Sequence, residues 1–260
     1  MKLAVSGKGG VGKSTIAGAL ALVLAEKGKR VVALDADPDA NLATALGFSD
    51  HLRDKIVPIS NQIKLIEERT GAKVKQYGQM FKLNPDVSDV AEKLAVTGNG
   101  VSLLELGAVE MGGSGCACPE NVFIRSLVTD LVLYKGDILI MDMEAGVEHL
   151  GRATAKGVNA MLIVVEPGKR SIECAERVMA MSKEIGINKV EVVFNKVTNN
   201  DDQCYLESAL PGIKPLSIIP YSDDIRRADQ SDDLITETIG KDLNKRLQLL
   251  AETLIEKYSQ

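Results

Sequence analysis

The sequence is poor in the features that mark secreted and membrane-embedded proteins. It holds four cysteines in 260 residues, which do not make a disulfide framework in a chain of this length. Its longest charge-free apolar stretch, Ile16 to Ala25, has about half of the roughly 20 residues that a membrane span needs. We therefore expect a protein of the reducing cytoplasm that has no membrane partner.

An excess of basic residues is also lacking. Lys and Arg number 31 against 36 Asp and Glu, so the net charge is -5, which argues against a protein that coats nucleic acid. Because Met1-Lys2 runs directly into an apolar strand pattern, we expect no signal peptide. The hydrophobic fraction of 45% and the charged fraction of 26% are ordinary for a globular protein. They favour a single domain over residues 1-260.

Short β-branched runs alternate with longer helical patterns along the chain. Predicted strands lie at Lys2-Ser6, Arg30-Asp35, Asp137-Asp142, Met161-Glu166, Lys189-Asn195 and Pro215-Pro220. Predicted helices lie at Lys13-Lys27, Ser171-Ile185 and Lys241-Tyr258. This alternation indicates an α/β fold with a doubly wound, mostly parallel sheet, whose ligands gather at the carboxyl ends of the strands. Residues 48-121 break the pattern and are interpreted as an elaboration on the same domain.

A phosphate-binding loop follows the first predicted strand. The residues from Gly7 to Ser14 satisfy GxxxxGK[ST] between a strand and a helix, so the loop predicts a P-loop NTPase. Lys13 is expected to reach the β- and γ-phosphates of ATP, and the Ser14 hydroxyl to ligate Mg²⁺. The predicted nucleotide contacts in this loop are Gly7, Gly9, Gly10, Val11, Gly12, Lys13, Ser14 and Thr15.

The pair Cys116-Ala117-Cys118 lies on a glycine-rich stretch that ends at Pro119. Cysteines at positions i and i+2 of an extended segment point the same way, so they can grip one soft metal ion but are poor disulfide partners. Two thiolates leave a four-coordinate site half filled, and two chains related by a two-fold axis would complete it. Thiolate chemistry alone leaves Ni²⁺, Zn²⁺ and an iron–sulfur cluster open.

The extra lysine at position 8 makes the loop a deviant Walker A motif. The run GKGGVGKST resembles the loop of the MinD, ParA and nitrogenase-iron-protein family. That resemblance implies a homodimer in which Lys8 contacts the partner subunit's ATP and acts in catalysis. It further implies a catalytic, water-orienting role for Asp37 in a switch I segment, Asp35 to Asn41, and Mg²⁺ held through water by Asp142. Asn195, Lys196 and Pro220 match positions around the adenine base.

A narrower resemblance comes from GGSGCACPEN and DMEAGVEHLGR, which are similar to the CooC-type accessory ATPases of carbon monoxide dehydrogenase. It implies an enzyme that hydrolyses MgATP and delivers Ni²⁺, with Zn²⁺ as an alternative ion, through Cys116 and Cys118 shared across the dimer. The implied client is apo carbon monoxide dehydrogenase or acetyl-CoA synthase. The rival functions are an iron–sulfur electron-donating ATPase and a positioning ATPase without metal.

The remaining cysteines and one histidine carry weaker signals. Cys174 has apolar neighbours at helical spacing and is predicted to lie in the core. Cys204 has no sequence partner. His149, just beyond the Glu144 region, is interpreted as a surface or interface histidine without an assigned role.

Overall fold

A computed structural model describes residues 1–76, 78–107, 118–133, 137–146, 155, 157–229 and 234–258. The strands in these ranges are β1 (Lys2–Ser6), β2 (Val31–Ala36), β3 (Val96–Gly98), β4 (Val101–Glu105), β5 (Ile138–Met143), β6 (Ala160–Val165), β7 (Val190–Val197) and β8 (Ser217–Pro220). They form one sheet in the order β3-β4-β2-β5-β1-β6-β7-β8. Neighbouring strands are parallel except for β3 and β4, so the predicted mostly parallel α/β fold is confirmed.

Helices cover both faces of the sheet. They are α1 (Lys13–Glu26), α2 (Leu42–Ala45), α3 (Asp50–Arg53), α4 (Ile63–Thr70), α5 (Val90–Leu94), α6 (Pro119–Leu133), α7 (Lys169–Ile185), α8 (Asn200–Ala209), α9 (Asp223–Asp229), α10 (Ile235–Thr238) and α11 (Lys241–Tyr258), with a 3-10 turn at Ile59–Asn61. None of the helices in the described ranges has both the length and the apolar character needed to cross a bilayer.

Alternate residues of each central strand enter two different cores. In β1, Leu3 and Val5 pack with α1 and α11, whereas Ala4 faces the core that holds α6 and α7. In β5, Ile140 packs in the core that holds α1 and α11, and Met141 packs in the core that holds α6 and α7. This two-sided burial explains why the central strands are apolar on both faces. Burying a large aliphatic side chain contributes about 1.5–3 kcal/mol, so the two layers together hold the sheet.

The strands and helices predicted from the apolar pattern are all present, with ends that agree within two residues. The structure adds the strands β3 and β4 and several helices, among them α4, α6 and α8, which the sequence pattern did not predict. Both added strands come from the segment interpreted as an elaboration, and β4 pairs directly with β2. Part of that segment therefore extends the central sheet.

The position of β1 places its loop at the centre of the carboxyl edge. This strand lies between β5 and β6, and the chain passes from it to β2 on one side and later to β6 and β7 on the other. Such a switch in strand order opens a crevice for ligands. Behind it, α1 and α2 meet closely at Gly18, where an added Cβ atom would lie 2.9 Å from the Ala45 Cβ atom.

Candidate functional site

The loop between β1 and α1 requires glycine where its backbone approaches other strands. Gly12 has φ 94°, and a Cβ atom there would lie 2.5 Å from Nδ2 of Asn195. At Gly7 an added Cβ would lie 2.5 Å from the Val164 carbonyl oxygen. Because α1 begins at Lys13, the loop ends at the positive end of a helix and its free N–H groups suit an anion.

Lys13, Asp37 and Asp142 form the inner wall of the site. The Lys13 ammonium lies 3.5 Å from Oδ2 of Asp37, and their side chains are only 6% and 13% exposed. Asp142, at the end of β5, is fully buried, and its carboxylate oxygens have no hydrogen-bond partner among the described residues. The two catalytic candidates of the inner wall, Lys13 and Asp37, are thus adjacent to each other.

Burial is the main influence on the Asp142 carboxyl and raises its pKa to about 6. The nearby Ser14 hydroxyl and Lys13 ammonium lower the pKa of Asp142 by a smaller amount, although the Ser14 hydroxyl makes no hydrogen bond to the carboxylate. Two unsatisfied, fully buried carboxylate oxygens beside a serine hydroxyl fit a water-coordinated Mg²⁺. Asp142, Ser14 and the phosphate loop would therefore hold the magnesium of MgATP.

Asp35 is the first residue of the segment that resembles switch I, and its carboxylate accepts hydrogen bonds near both ends of that segment. Its Oδ1 accepts the Asp37 N–H at 3.2 Å, and its Oδ2 accepts the Leu42 N–H at 2.9 Å. Burial raises the pKa of Asp35 to about 7, with smaller effects from these N–H groups and from Asp142. One carboxyl group therefore bridges both ends of the Asp37-bearing turn and fixes where that turn begins and ends.

Asn195 supports the phosphate loop from β7. Its Nδ2 donates to the Val11 carbonyl oxygen at 2.8 Å, and its buried Oδ1 has no partner among the described residues. The structure thus shows a loop contact for this residue, and its predicted contact with adenine stays a prediction. Pro220, the other residue expected near the base, ends edge strand β8 opposite Val197.

The rim cluster consists of Lys8, Glu166 and Lys196. Glu166, just after β6, lies between the two ammonium groups, 3.5 Å from Lys8 Nζ and 3.2 Å from Lys196 Nζ. Lys196 also donates to the Gly10 carbonyl oxygen, so the rim cluster is tied to the tip of the loop. Lys196 has φ 57°, a left-handed backbone conformation, and it lies where the register of β7 against β8 shifts, between Phe194 and Val197.

The predicted metal-binding cysteines are only partly described. Cys116 and His149 lie outside the described residues, whereas Cys118 is half-buried directly before α6. Among the described ranges there is no group of three or more His, Cys, Asp or Glu that could hold a metal ion. Cys174 is buried in α7, as predicted, and burial raises the pKa of its thiol. Cys204 is exposed.

Three residues of the site were missed by sequence reasoning. Glu166 and Asp35 occur at strand ends, and that position on the carboxyl edge was the signal available for them. Ser6, the last residue of β1, is fully buried and donates to the Glu144 carbonyl oxygen at 2.7 Å. It ties β1 to the turn that follows β5.

Comparison with known proteins adds to this geometry. Residues 2–235 match the model of the CobQ/CobB/MinD/ParA nucleotide-binding domain. The carbon monoxide dehydrogenase accessory protein CooC of Rhodospirillum rubrum is 42% identical over 89% of this chain and 88% of its own length. An ATP-binding protein of Methanocaldococcus jannaschii is 39% identical over 94% of this chain and 91% of its own length.

Solved structures share the fold at low sequence identity. A ParA-family ATPase from Chlorobium tepidum matches with a TM-score of 0.71 at 19% identity, covering 96% of this chain and 98% of its own. MinD in the MinC:MinD complex of Aquifex aeolicus matches with a TM-score of 0.71 at 20% identity, covering 98% and 96%. At these identities the likeness concerns the arrangement of strands and helices alone.

Proposed function

The chain belongs to the CobQ/CobB/MinD/ParA family of nucleotide-binding proteins and is an ATPase, and we propose that it uses ATP to deliver nickel to carbon monoxide dehydrogenase or acetyl-CoA synthase. The observation that carries the proposal is its 42% identity to an accessory protein of carbon monoxide dehydrogenase, together with Cys116 and Cys118. Nickel is the cargo in this scheme and ATP is the substrate.

In this proposal the phosphate loop and the residues of the inner wall have separate roles in binding and hydrolysing ATP. The loop amides and the N-terminus of α1 bind phosphate oxygens, and Lys13 neutralises charge on the β- and γ-phosphates. Asp142 and Ser14 hold Mg²⁺, which neutralises phosphate charge when bound. Lys13 then exchanges its contact with Asp37 for the phosphates. Asp37 is thereby released to orient the attacking water and to accept its proton.

A homodimer completes the nucleotide site in this proposal. Lys8 is exposed at the rim, 37% by side chain, and is therefore available to a second subunit. Its charge would stabilise the phosphates bound by that partner, as an arginine finger does in other P-loop enzymes. Support comes from the deviant loop sequence and from the position of Lys8 outside the buried inner wall.

The cysteine pair supplies the cargo site. Each chain contributes Cys116 and Cys118, and two chains related by a two-fold axis supply four thiolates for one Ni²⁺, with Zn²⁺ as the competing ion. Cys118 directly precedes α6, and this helix packs against α4 beneath the sheet. Closure of the dimer around ATP would assemble the cysteines, and hydrolysis would separate them and release the ion.

The test is anaerobic binding of Ni²⁺ to the reduced protein, with molar mass followed by light scattering. We expect one ion per dimer, and no such binding in a Cys116→Ser/Cys118→Ser variant that still binds ATP. Cys204→Ser is the matched control, because it removes an exposed thiol outside the pair. Nickel binding that survives loss of the pair would refute the nickel proposal and leave the ATPase assignment intact.

The two rival functions give different results in the same preparation. An iron–sulfur protein isolated without oxygen would show a charge-transfer absorbance band that the paired cysteine variant loses. A positioning ATPase would hydrolyse ATP faster with lipid or DNA and would need no metal. In the structure the apolar face of α11 packs on the core through Leu247, Leu250 and Leu254, so this helix does not present that face as a membrane anchor.

A further inference from the structure

Glu166 is the one acidic side chain that the described structure pairs with both lysines of the rim cluster. Each carboxylate oxygen serves a different cation, with Oε1 facing Lys8 and Oε2 facing Lys196. Glu166 is 23% exposed by side chain, whereas Lys8 and Lys196 are 37% and 38% exposed. The carboxylate is therefore more enclosed than either cation, and it forms the fixed centre of the cluster.

Lys8 is folded back on its own subunit in this arrangement. Besides its contact with Glu166, its ammonium donates to the Gly9 carbonyl oxygen at 3.2 Å. A lysine held in this way points at its own loop, and it must leave Glu166 before it can contact a nucleotide in another subunit. Lys196 is likewise held at two points, by Glu166 and by the Gly10 carbonyl oxygen.

We propose that Glu166 is a positioning residue that holds Lys8 against its own loop in the separate subunit and releases it when two ATP-loaded subunits close. This inference rests on the proposed role of Lys8 in the dimer. Release of Lys8 does not leave the Glu166 carboxylate without a counter-charge, because Lys196 still contacts its other oxygen, Oε2. The phosphates of the partner's ATP then replace Glu166 as the counter-charge of Lys8.

The contact is weak enough to act as a reversible restraint. Ion pairs at partly exposed sites shift an equilibrium by about two- to fivefold. Glu166 therefore lowers the population of dimer-competent subunits without preventing closure, and a subunit population lacking the restraint dimerises at lower protein concentration.

The test measures molar mass by light scattering across a range of protein concentrations, at a saturating level of a non-hydrolysed ATP analogue with Mg²⁺. We expect Glu166→Gln to dimerise with a midpoint about two- to fivefold lower in protein concentration than the parent protein. Glu166→Asp keeps the charge and should move the midpoint back toward that of the parent. An unchanged or higher midpoint in Glu166→Gln would overturn the proposal.

Glu173→Gln is the matched control. It removes the same charge from an exposed pair with Lys169 on α7, and it should leave the midpoint unchanged. A shift in this control as large as that of Glu166→Gln would show a general effect of charge and would overturn the specific role of Glu166. If Glu166 only shaped the loop, its replacement would weaken analogue binding and lower the melting temperature without any fall in the midpoint.

Lys8→Ala separates this inference from the proposed function. Loss of ATP-dependent dimers in Lys8→Ala, with no shift in Glu166→Gln, would support the dimer role of Lys8 and overturn the restraint. Normal ATP-dependent dimers in Lys8→Ala would contradict the proposed role of Lys8 in the dimer. Failure of the nickel test would affect neither result.

Discussion

The inner wall and the rim cluster present the same pair of charges in two environments. In each, a lysine ammonium lies 3.5 Å from a carboxylate oxygen, Lys13 from Asp37 and Lys8 from Glu166. The lysine of the inner wall is 6% exposed, and that of the rim is 37% exposed. Distance therefore does not distinguish these pairs, whereas access to water does.

Access to water gives the two pairs different uses. In the inner wall, charges interact strongly but lose hydration, so the carboxyl of Asp142 is held at a raised pKa until a cation arrives. At the rim, water and salt screen the charges, so partners can be exchanged with little change in free energy. The buried pair suits tight binding of a charged ligand, and the exposed cluster suits a movable restraint.

The largest expected difference between the regions concerns hydrolysis. Lys13→Ala should lower the rate of ATP hydrolysis by at least about 100-fold, because it removes the cation that stabilises transferring phosphate in a buried site. The rate of phosphate release at saturating MgATP measures this effect. A loss of less than tenfold would contradict a dominant role of the inner wall in hydrolysis.

The pH dependence of stability should also arise from buried carboxyls near the inner wall. Burial raises the pKa of Asp35 to about 7 and of Asp142 to about 6, so the folded protein binds more protons than the unfolded chain between pH 4 and these values. Without nucleotide and with EDTA present, the free energy of unfolding should fall by about 4 kcal/mol from pH 5 to pH 8, with the larger share from Asp35. Urea denaturation at each pH measures it.

Asp142→Asn tests the origin of that fall. The variant should lose less stability than the parent protein over the same pH range, because one of the two titrating groups is gone. A parent protein that becomes more stable from pH 5 to pH 8 would contradict the assignment.

Support of the loop by Asn195 should have an intermediate effect. Asn195→Ala removes the hydrogen bond to the Val11 carbonyl oxygen and should weaken ATP binding by about tenfold, since leaving a buried acceptor unpaired costs about 1–3 kcal/mol. Calorimetric titration measures it. Asn244→Ala is the control, because its amide also donates to a backbone carbonyl but on α11. Equal losses in both variants would contradict a specific role at the loop.

The smallest effect is expected at the rim. Lys196→Met removes an exposed contact with the Gly10 carbonyl oxygen and should weaken ATP binding only about threefold. The same titration at low and high salt measures it, and the difference from the parent protein should shrink as salt rises. A loss of ATP affinity of about 100-fold in Lys196→Met, as large as the loss of hydrolysis rate expected for Lys13→Ala, would contradict the distinction between rim and inner wall.

The local signals in the sequence were sufficient for the loop and the central sheet. The loop motif is contiguous from Gly7 to Ser14, and the central strands carry apolar residues on both faces, so neither needs knowledge of distant contacts. The strand β4 was not predicted, because its five residues follow Gly98-Asn99-Gly100 and were included with that turn in the loop-rich segment.

The contacts of the rim cluster depend on strand order and could not be predicted from the sequence. Lys8, Glu166 and Lys196 are far apart in the chain and meet only because β1, β6 and β7 are neighbours in the sheet. The raised pKa of Asp35 has a similar origin, since it depends on burial between β4 and β5. Sequence supplied the residue types, and the order of the strands supplied their partners.

The close contact at Gly18 restricts where motion can be observed. An added Cβ atom there would meet both the Cβ atom and the carbonyl oxygen of Ala45, so at this point no side chain larger than the Ala45 methyl group separates α1 from α2. Leu42, the first residue of α2, is also fully buried and bound to Asp35. A spectroscopic label on exposed Asn41 would therefore report displacement of the turn that carries Asp37, whereas a label in α2 would move with the phosphate-binding helix as one rigid piece.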